Sequence, residues 1–498
     1  MCAATLKGPS FLDRHGLLVT LVLALAARAA IMGTNAGITM DSPLYVRMAE
    51  DLLAGVRGPS PAHHGYPMLV AAASRVIPGR EWPGRITALL AALTVAALAW
   101  SLARRHLGPR GALVAAALVA LHPLLVVYGG AIMTEAPFLA FTLAGLALLE
   151  GGRPFAGGLA LGAAYWIRPE AAVIAPVAAA LVRGREAKLR VLAGAACAAL
   201  PYLAFLRWEL GWWSLTPKTA LVRAPFESAR AAEWTLADSS ATADSVGVLA
   251  RLRTAGPEIA RGFPAQLAAH GGRWLQAWPL PWLALSFAGI AAAWRGAPRA
   301  ALLAPLAPFF VLPLLAAPVD VRFAHVAIPS LALAAALGLA AAWRHGALVR
   351  GAALAAAAAG ALLLATGPLP KLALHFDDGP MHTLRGAGER LRALATPGQV
   401  VMDRKAYVPF FAGLKHAQLP DEPLDTLLDW ARTSGADYLV VEEYVAATVR
   451  PQLLELLDPA RLANERRVTP LFVLRPAPGE GVAVFRVERD ALGAPPPR

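Results

Sequence analysis

Charge is scarce in this chain, and cysteine is scarcer. Of its 498 residues only 16% are charged while 57% are hydrophobic, and the mean hydropathy is +0.52. That balance excludes an ordinary soluble enzyme and points to a polytopic membrane protein. Two cysteines, Cys2 and Cys197, are too few for a disulfide framework or for a zinc site of their own. The C-terminal region has no GxGxxG, P-loop or metal-ligand cluster. The chain shows no internal repeat, which weakens an inverted-repeat transporter. Its formal charge of +13 does not indicate nucleic acid, because the arginines form short clusters between apolar runs and not one stripe.

What is plentiful is apolar sequence of membrane-spanning length, about 20 residues with tolerance on both sides. Eleven runs qualify: residues 17–33, 86–103, 111–128, 136–149, 155–167, 171–182, 189–206, 278–294, 300–317, 323–343 and 351–366. The first reads as an uncleaved span and not a signal peptide, although Ala27-Arg28-Ala29 loosely resembles a cleavage site. Arg28, inside it, is expected to snorkel.

Basic residues collect in every second connection, at Lys7 and Arg14, Arg104 and Arg105, Arg153, Arg183 and Arg185, Arg295 and Arg299, and Arg344 and Arg350. That places the N-terminus in the cytoplasm and the C-terminus outside. The expected fold class is an α-helical polytopic membrane protein of about eleven spans. Its membrane module covers 1–368, with outer loops at about 34–85 and 207–274. Residues 369–498 read as an extracytoplasmic α/β domain, with strand-like QVVMD, DYLVVEE, LFVLRP and GVAVFRV between helical DTLLDWARTSG and VRPQLLELL.

The polar residues that stand out lie on the outer side. Asp41 opens MDSPLYVRMAEDLLAG, where an acid precedes a first-turn proline and Gly55 supplies the stop. Tyr45, Met48 and Leu52 form one face of that helix, opposite Arg47, Glu50, Asp51 and Ala54. Asp41 is either a helix-start residue or a general base for an acceptor hydroxyl. Thr134 and Glu135 open the fourth run, where an acid is favourable for dipole reasons or is functional. Arg168, in YWIRPEAA, either snorkels, pairs with Glu170, or clamps a phosphate. Arg322 beside Asp320 repeats that situation, and Lys218 is a third cation. His63 and His64 are adjacent and point in different directions, so no spacing supports a metal. Asp41, Glu135, Arg168, Lys218 and Arg322 come from five separated segments on one face. Acids and cations converging there suit a phosphoryl-linked substrate better than a conduction path through the bilayer.

In this pattern the chain resembles the GT-C superfamily of integral-membrane glycosyltransferases, notably bacterial protein O-mannosyltransferases and the lipid A aminoarabinose transferase. The carriers are MDSPLYVRMAEDL, HHGYPML (similar to an HPPLYP segment), HPLLVVYGGAIMTEAPF, YWIRPEAA, LGWWSLTPKTALVR and VRFAHVAIPSLALAAALGL. The resemblance implies Asp41 as catalytic base, with Ser42 where a second acid often stands. It implies substrate or phosphate contacts at Glu135, Arg168, Lys218, Arg223 (a substitute for a displaced lysine) and Arg322. Tyr45, His64, Tyr66 and Thr134 are secondary candidates. The implied donor is a polyprenyl-phosphate sugar in the bilayer, and the acceptor an envelope lipid, glycan or protein, at the bacterial inner membrane. No cofactor is required and no metal is assigned. A transporter or flippase is the competing class, and a membrane-anchored scaffold the third.

Overall fold

The computed structural model describes residues 11–39, 41–56, 62–211, 213–217, 248–294, 298–315, 320–370, 379–462 and 465–488. These residues form two units. The first takes 11–37 and the described residues of 45–370; the second takes Ile38–Leu44 and 379–488.

The first unit is helical. In chain order it contains α1 (Phe11–Met32), α2 (Ser42–Ala54), α3 (Gly65–Ala73), α4 (Trp82–Leu121), α5 (Pro123–Gly130), α6 (Glu135–Glu150), α7 (Pro154–Tyr165) and α8 (Ala171–Leu181). Then follow α9 (Arg185–Leu210), α10 (Val248–Ala277), α11 (Leu280–Ala293), α12 (Arg299–Leu303), α13 (Ala307–Leu315), α14 (Ile328–Ala342) and α15 (Ala347–Thr366). Each of the eleven apolar runs is helical over most of its length. By length and composition, however, only four described helical stretches can cross a membrane, or six if two bent pairs count as one span each. The breaks explain the difference. His122, extended before Pro123, ends α4, and the chain bends by 111° between α5 and α6. Conversely, α4 is two helices. Gly108 has φ 67° and ψ −173° ahead of Pro109, and Ala96 and Ala120 both pack with Ala24. In a straight helix they would be about 36 Å apart, so the chain reverses at Gly108. Leucines such as Leu18, Leu200 and Leu362 point outward, as a lipid-facing surface requires, and Trp82 and Trp208 are exposed at helix ends.

Close helix packing in this unit depends on glycine. A Cβ at Gly158 would run into the backbone carbonyl of Val191, and one at Gly162 into that of Ala195. The α7–α9 pair therefore meets backbone to backbone, the small-xxx-small mode of membrane helices. Gly158→Leu is expected to destabilise the protein by about 1–3 kcal/mol or more. A lowered melting temperature in detergent checks this, and an unchanged one refutes the packing.

Arg28 does not snorkel. It is 1% exposed, and its guanidinium donates to the carbonyls of Ala24 (3.0 Å), Ala120 (2.7 Å) and Leu125 (3.2 Å). One of these, the Ala120 carbonyl, lies in the last turn of α4, where the α4–α5 break leaves carbonyls short of helical donors. Arg85 acts similarly at the end of α1, donating to the Met32 and Thr34 carbonyls while pairing with Glu81 at 2.8 Å.

In the second unit five strands form one sheet: β1 (Val400–Asp403), β2 (Lys415–Gln418), β3 (Tyr438–Glu442), β4 (Val468–Leu474) and β5 (Val482–Val487). Their order is β2-β1-β3-β5-β4, with β1 parallel to β2 and β3, and β5 antiparallel to β3 and β4. Helices Tyr407–Ala412 and Leu424–Thr433 make the β1–β2 and β2–β3 crossovers. Met402, Leu427, Leu428, Leu439, Val441 and Phe485 form the core. The membrane–soluble division expected at 368/369 leaves out Ile38–Leu44, which groups with this unit.

Candidate active site

The α7–α8 connection carries the central residue. Pro169 disfavours a helical conformation at Arg168, so α7 stops and α8 starts afresh at Ala171. Arg168 donates through Nη1 to Glu135 Oε1 (2.8 Å) and Thr134 Oγ1 (3.0 Å). Through Nε and Nη2 it donates to Glu170 Oε1 (2.9 and 2.8 Å). Both acids are buried, Glu135 completely. Burial alone would lower the affinity of Arg168 for its proton, but Glu170 and Glu135 outweigh it and raise it. Burial alone would raise the Glu170 carboxyl, and Arg168 holds it to about 2. Glu170 was visible in the sequence only as a neighbour; here it is the principal partner. Four hydrogen bonds to protein acceptors thus occupy four of the five guanidinium donors. In this geometry Arg168 is a brace tying α6 to α8.

Around the brace sit the secondary candidates. Tyr66 is buried, donates to the Gly84 carbonyl (3.0 Å) and meets Tyr45 edge-on at 5.4 Å. Burial, Tyr45 and Glu135 raise its phenol, so it stays neutral. On α2, Tyr45 and Met48 are buried as their face predicts, whereas Leu52 lies in an exposed last turn. Gly65 N–H donates to the Trp166 carbonyl (2.7 Å), which seats the His-His segment on the α7–α8 connection. The two histidines do diverge. His63 bonds the Tyr165 carbonyl (2.9 Å) and Thr216 Oγ1 (3.2 Å), while His64 faces Tyr202 (3.3 Å) and Glu209 (3.4 Å). Tyr202 and Glu209 carried no signal in the sequence, being one tyrosine and one acid at the end of an apolar helix.

Arg322 lies on a tight turn, Val321–Val326, that leads into α14. Asp320 caps it, accepting from Arg322 N–H at 2.9 Å, and its other oxygen lies 3.5 Å from Arg322 Nε. His325 Nδ1 donates to the Arg322 carbonyl (2.6 Å), and its ring meets Phe138, one turn after Glu135, at 5.8 Å. Arg322 is near enough to bear on Arg168 electrostatically. Glu135, Arg168 and Arg322 therefore gather in one place, with Thr134, Tyr66 and Tyr45 around them. Asp41 is buried in the second unit, next to Ser42, whose hydroxyl accepts from Thr39 N–H (2.8 Å). Lys218 and Arg223 lie outside the described residues. Among the described residues no group of three His, Cys, Asp or Glu could hold a metal ion.

Residues 64–208, which include His64, Tyr66, Thr134, Glu135 and Arg168, match a family model described as dolichyl-phosphate-mannose-protein mannosyltransferase. The fold is similar to that of ArnT from Cupriavidus metallidurans bound to undecaprenyl phosphate, with TM-score 0.55 and 14% identity over 95% of this chain and 97% of that one. The same protein in the apo state gives TM-score 0.59 and 12% identity over 96% and 98%. The chain has the GT-C glycosyltransferase fold. An oligosaccharyltransferase from Archaeoglobus fulgidus, in complex with Zn and sulfate, shares this GT-C fold at TM-score 0.56 and 14% identity, over 93% of this chain and 72% of that one. No curated protein matches in sequence.

Proposed function

We propose that this GT-C chain is an inverting glycosyltransferase that moves a sugar from a polyprenyl-phosphate donor to an acceptor hydroxyl on the extracytoplasmic side of a bacterial inner membrane. The observation that carries the proposal is the end-to-end likeness to a protein whose structure holds undecaprenyl phosphate, a lipid with the headgroup such a donor would leave behind. Asp41 takes the acceptor proton as the oxygen attacks the anomeric carbon from the face opposite the phosphate. The sugar–phosphate bond breaks, and its electron pair leaves with the phosphate as a dianion. Arg322, with Lys218 and Arg223 from the outer loop, stabilises that dianion, and no metal is required. Arg168 braces the site. The acceptor is an envelope lipid, glycan or protein. The eleven apolar runs cross the bilayer, some as short or tilted helices, with the N-terminus cytoplasmic and the second unit outside.

Radiolabelled polyprenyl-phosphate sugars fed to membranes containing the chain test this. Label should enter a new covalent product only when the chain is present. Label that crosses sealed vesicles chemically unchanged would instead make the chain a transporter. Arg322→Ala is expected to lower the turnover number by about 10²-fold, a typical effect of removing one transition-state donor. Unaltered turnover would take Arg322 out of the mechanism.

A further inference from the structure

Within the first unit, the loop that follows α9 is fastened to the α7–α8 connection. Helix α9 ends at Gly211, whose φ of 82° suits glycine and few other residues. Residues 213–217 then return to the His-His segment. Ser214 closes a turn there, donating from its hydroxyl to the Thr216 carbonyl at 2.6 Å. The Tyr165 hydroxyl donates to the Leu215 carbonyl, and His63 Nε2 meets Thr216 Oγ1 at 3.2 Å. His63 Nδ1 lies 2.9 Å from the Tyr165 carbonyl, which can only accept, so Nδ1 carries the proton. In the neutral ring Nε2 is then the acceptor, and the Thr216 hydroxyl is the donor.

The residues that hold the loop are themselves held. His63 and Tyr165 are buried, and the rings of Tyr165 and Tyr202 pack against His63 at 5.6 and 5.4 Å. Tyr202 stacks on Trp166 at 4.9 Å, which leaves these side chains little room to change rotamer. A Cβ at Gly65 would stand 2.7 Å from the Trp166 carbonyl oxygen, so glycine is needed where the His-His segment meets the connection. His64 pins the end of α9 through Tyr202 and Glu209. The chain is thus tied down on both sides of Gly211.

This arrangement bears on the residue that comes next. Pro217 fixes its own φ and restricts Thr216 to an extended conformation. Lys218 lies outside the described residues, but two residues of chain reach at most about 7 Å beyond Thr216. Arg223 has about 25 Å of chain from the same point, so the tether constrains it far less.

We propose that His63 and Tyr165 are positioning residues, which fasten residues 213–217 so that Lys218 is delivered to the donor phosphate. The inference rests on the reading of Lys218 as a phosphate contact. A lysine on an untethered loop has to be ordered when it binds, and that ordering shows as lost affinity. A merely structural role for His63 and Tyr165 would lower stability with no link to Lys218.

The test measures binding of undecaprenyl phosphate to the full chain in detergent, beside a thermal melt of each variant. Lys218→Ala should weaken binding about tenfold or more, the order of one hydrogen bond to a charged group. Thr216→Val keeps the shape and removes the hydroxyl, and should weaken binding about three- to tenfold, the scale of ordering one side chain, with the melt little changed. Tyr165→Phe, which loses the bond to Leu215, should do the same. His63→Asn keeps a donor for the Tyr165 carbonyl but does not reach Thr216, so it should match Thr216→Val. His63→Gln places its amide where Nε2 stood and should bind within about twofold of the wild type. In a Lys218→Ala background each tether substitution should change binding by less than about twofold, because the group it positions is gone.

Tether variants that bind like the wild type, or that weaken binding equally without Lys218, overturn the positioning role and leave Lys218 as a ligand. His63→Gln as weak as His63→Asn overturns it too. Lys218→Ala that binds like the wild type takes Lys218 out of the site and the tether with it. Wild-type protein that binds no undecaprenyl phosphate removes the proposed function as well.

Discussion

Asp41→Asn is expected to lower sugar transfer by about 10²–10⁴-fold, the range for losing a positioned general base, while the protein stays folded. Asparagine keeps the size of the side chain and one of its acceptor oxygens, so the buried surroundings of Asp41 and the Thr39–Ser42 hydrogen bonds beside it persist. What it removes is affinity for a proton. Transfer from labelled polyprenyl-phosphate sugar, measured beside a thermal melt of the same preparation, separates the two effects. A fully active asparagine variant would mean that another group takes the acceptor proton.

The second large effect belongs to Arg168→Ala. It leaves Glu135 and Glu170 buried without the cation that neutralises both. Breaking one partner out of a buried ion pair typically costs about 3–5 kcal/mol. The variant should melt at a much lower temperature, and adding Glu135→Gln and Glu170→Gln should restore most of the loss because no unpaired charge remains. The contrasting result is equally specific. A variant of unchanged stability that binds undecaprenyl phosphate poorly would make Arg168 a ligand and not a brace.

The helices were legible because membrane helices announce themselves by length and apolarity, and each run expected from the sequence is helical over most of its length. Which runs cross in full was not legible. A break such as His122–Pro123 costs a helix its continuity without changing the composition of the run. Arg28 illustrates a second limit. An arginine inside an apolar run looks the same whether it reaches for water or for backbone carbonyls, here one from its own helix and two from other helices.

At the site, Glu135, Arg168 and Arg322 stood out as ionisable groups at the ends of apolar runs. Their partners were harder to see. Glu170 and Asp320 are two residues away and look like local neighbours, while His325 gains meaning only when a turn brings it against Phe138. In the C-terminal region QVVMD and DYLVVEE each end in an acid, as many strands do. Only the pairing of β1 with β3 brings the two acids to the same edge, and pairing register between distant strands leaves no mark on either strand alone.

The grouping of Ile38–Leu44 with residues beyond 379 has a consequence for how the molecule is made. Asp41 leaves the ribosome about 360 residues or more ahead of Asp403, Tyr407 and Glu442, its companions in one folded unit. At roughly 5–20 residues per second that interval is on the order of 20–70 s. Throughout it Ile38–Leu44 waits without the rest of the unit it packs into. Asp41 therefore reaches its buried position only once the C-terminal strands have been made.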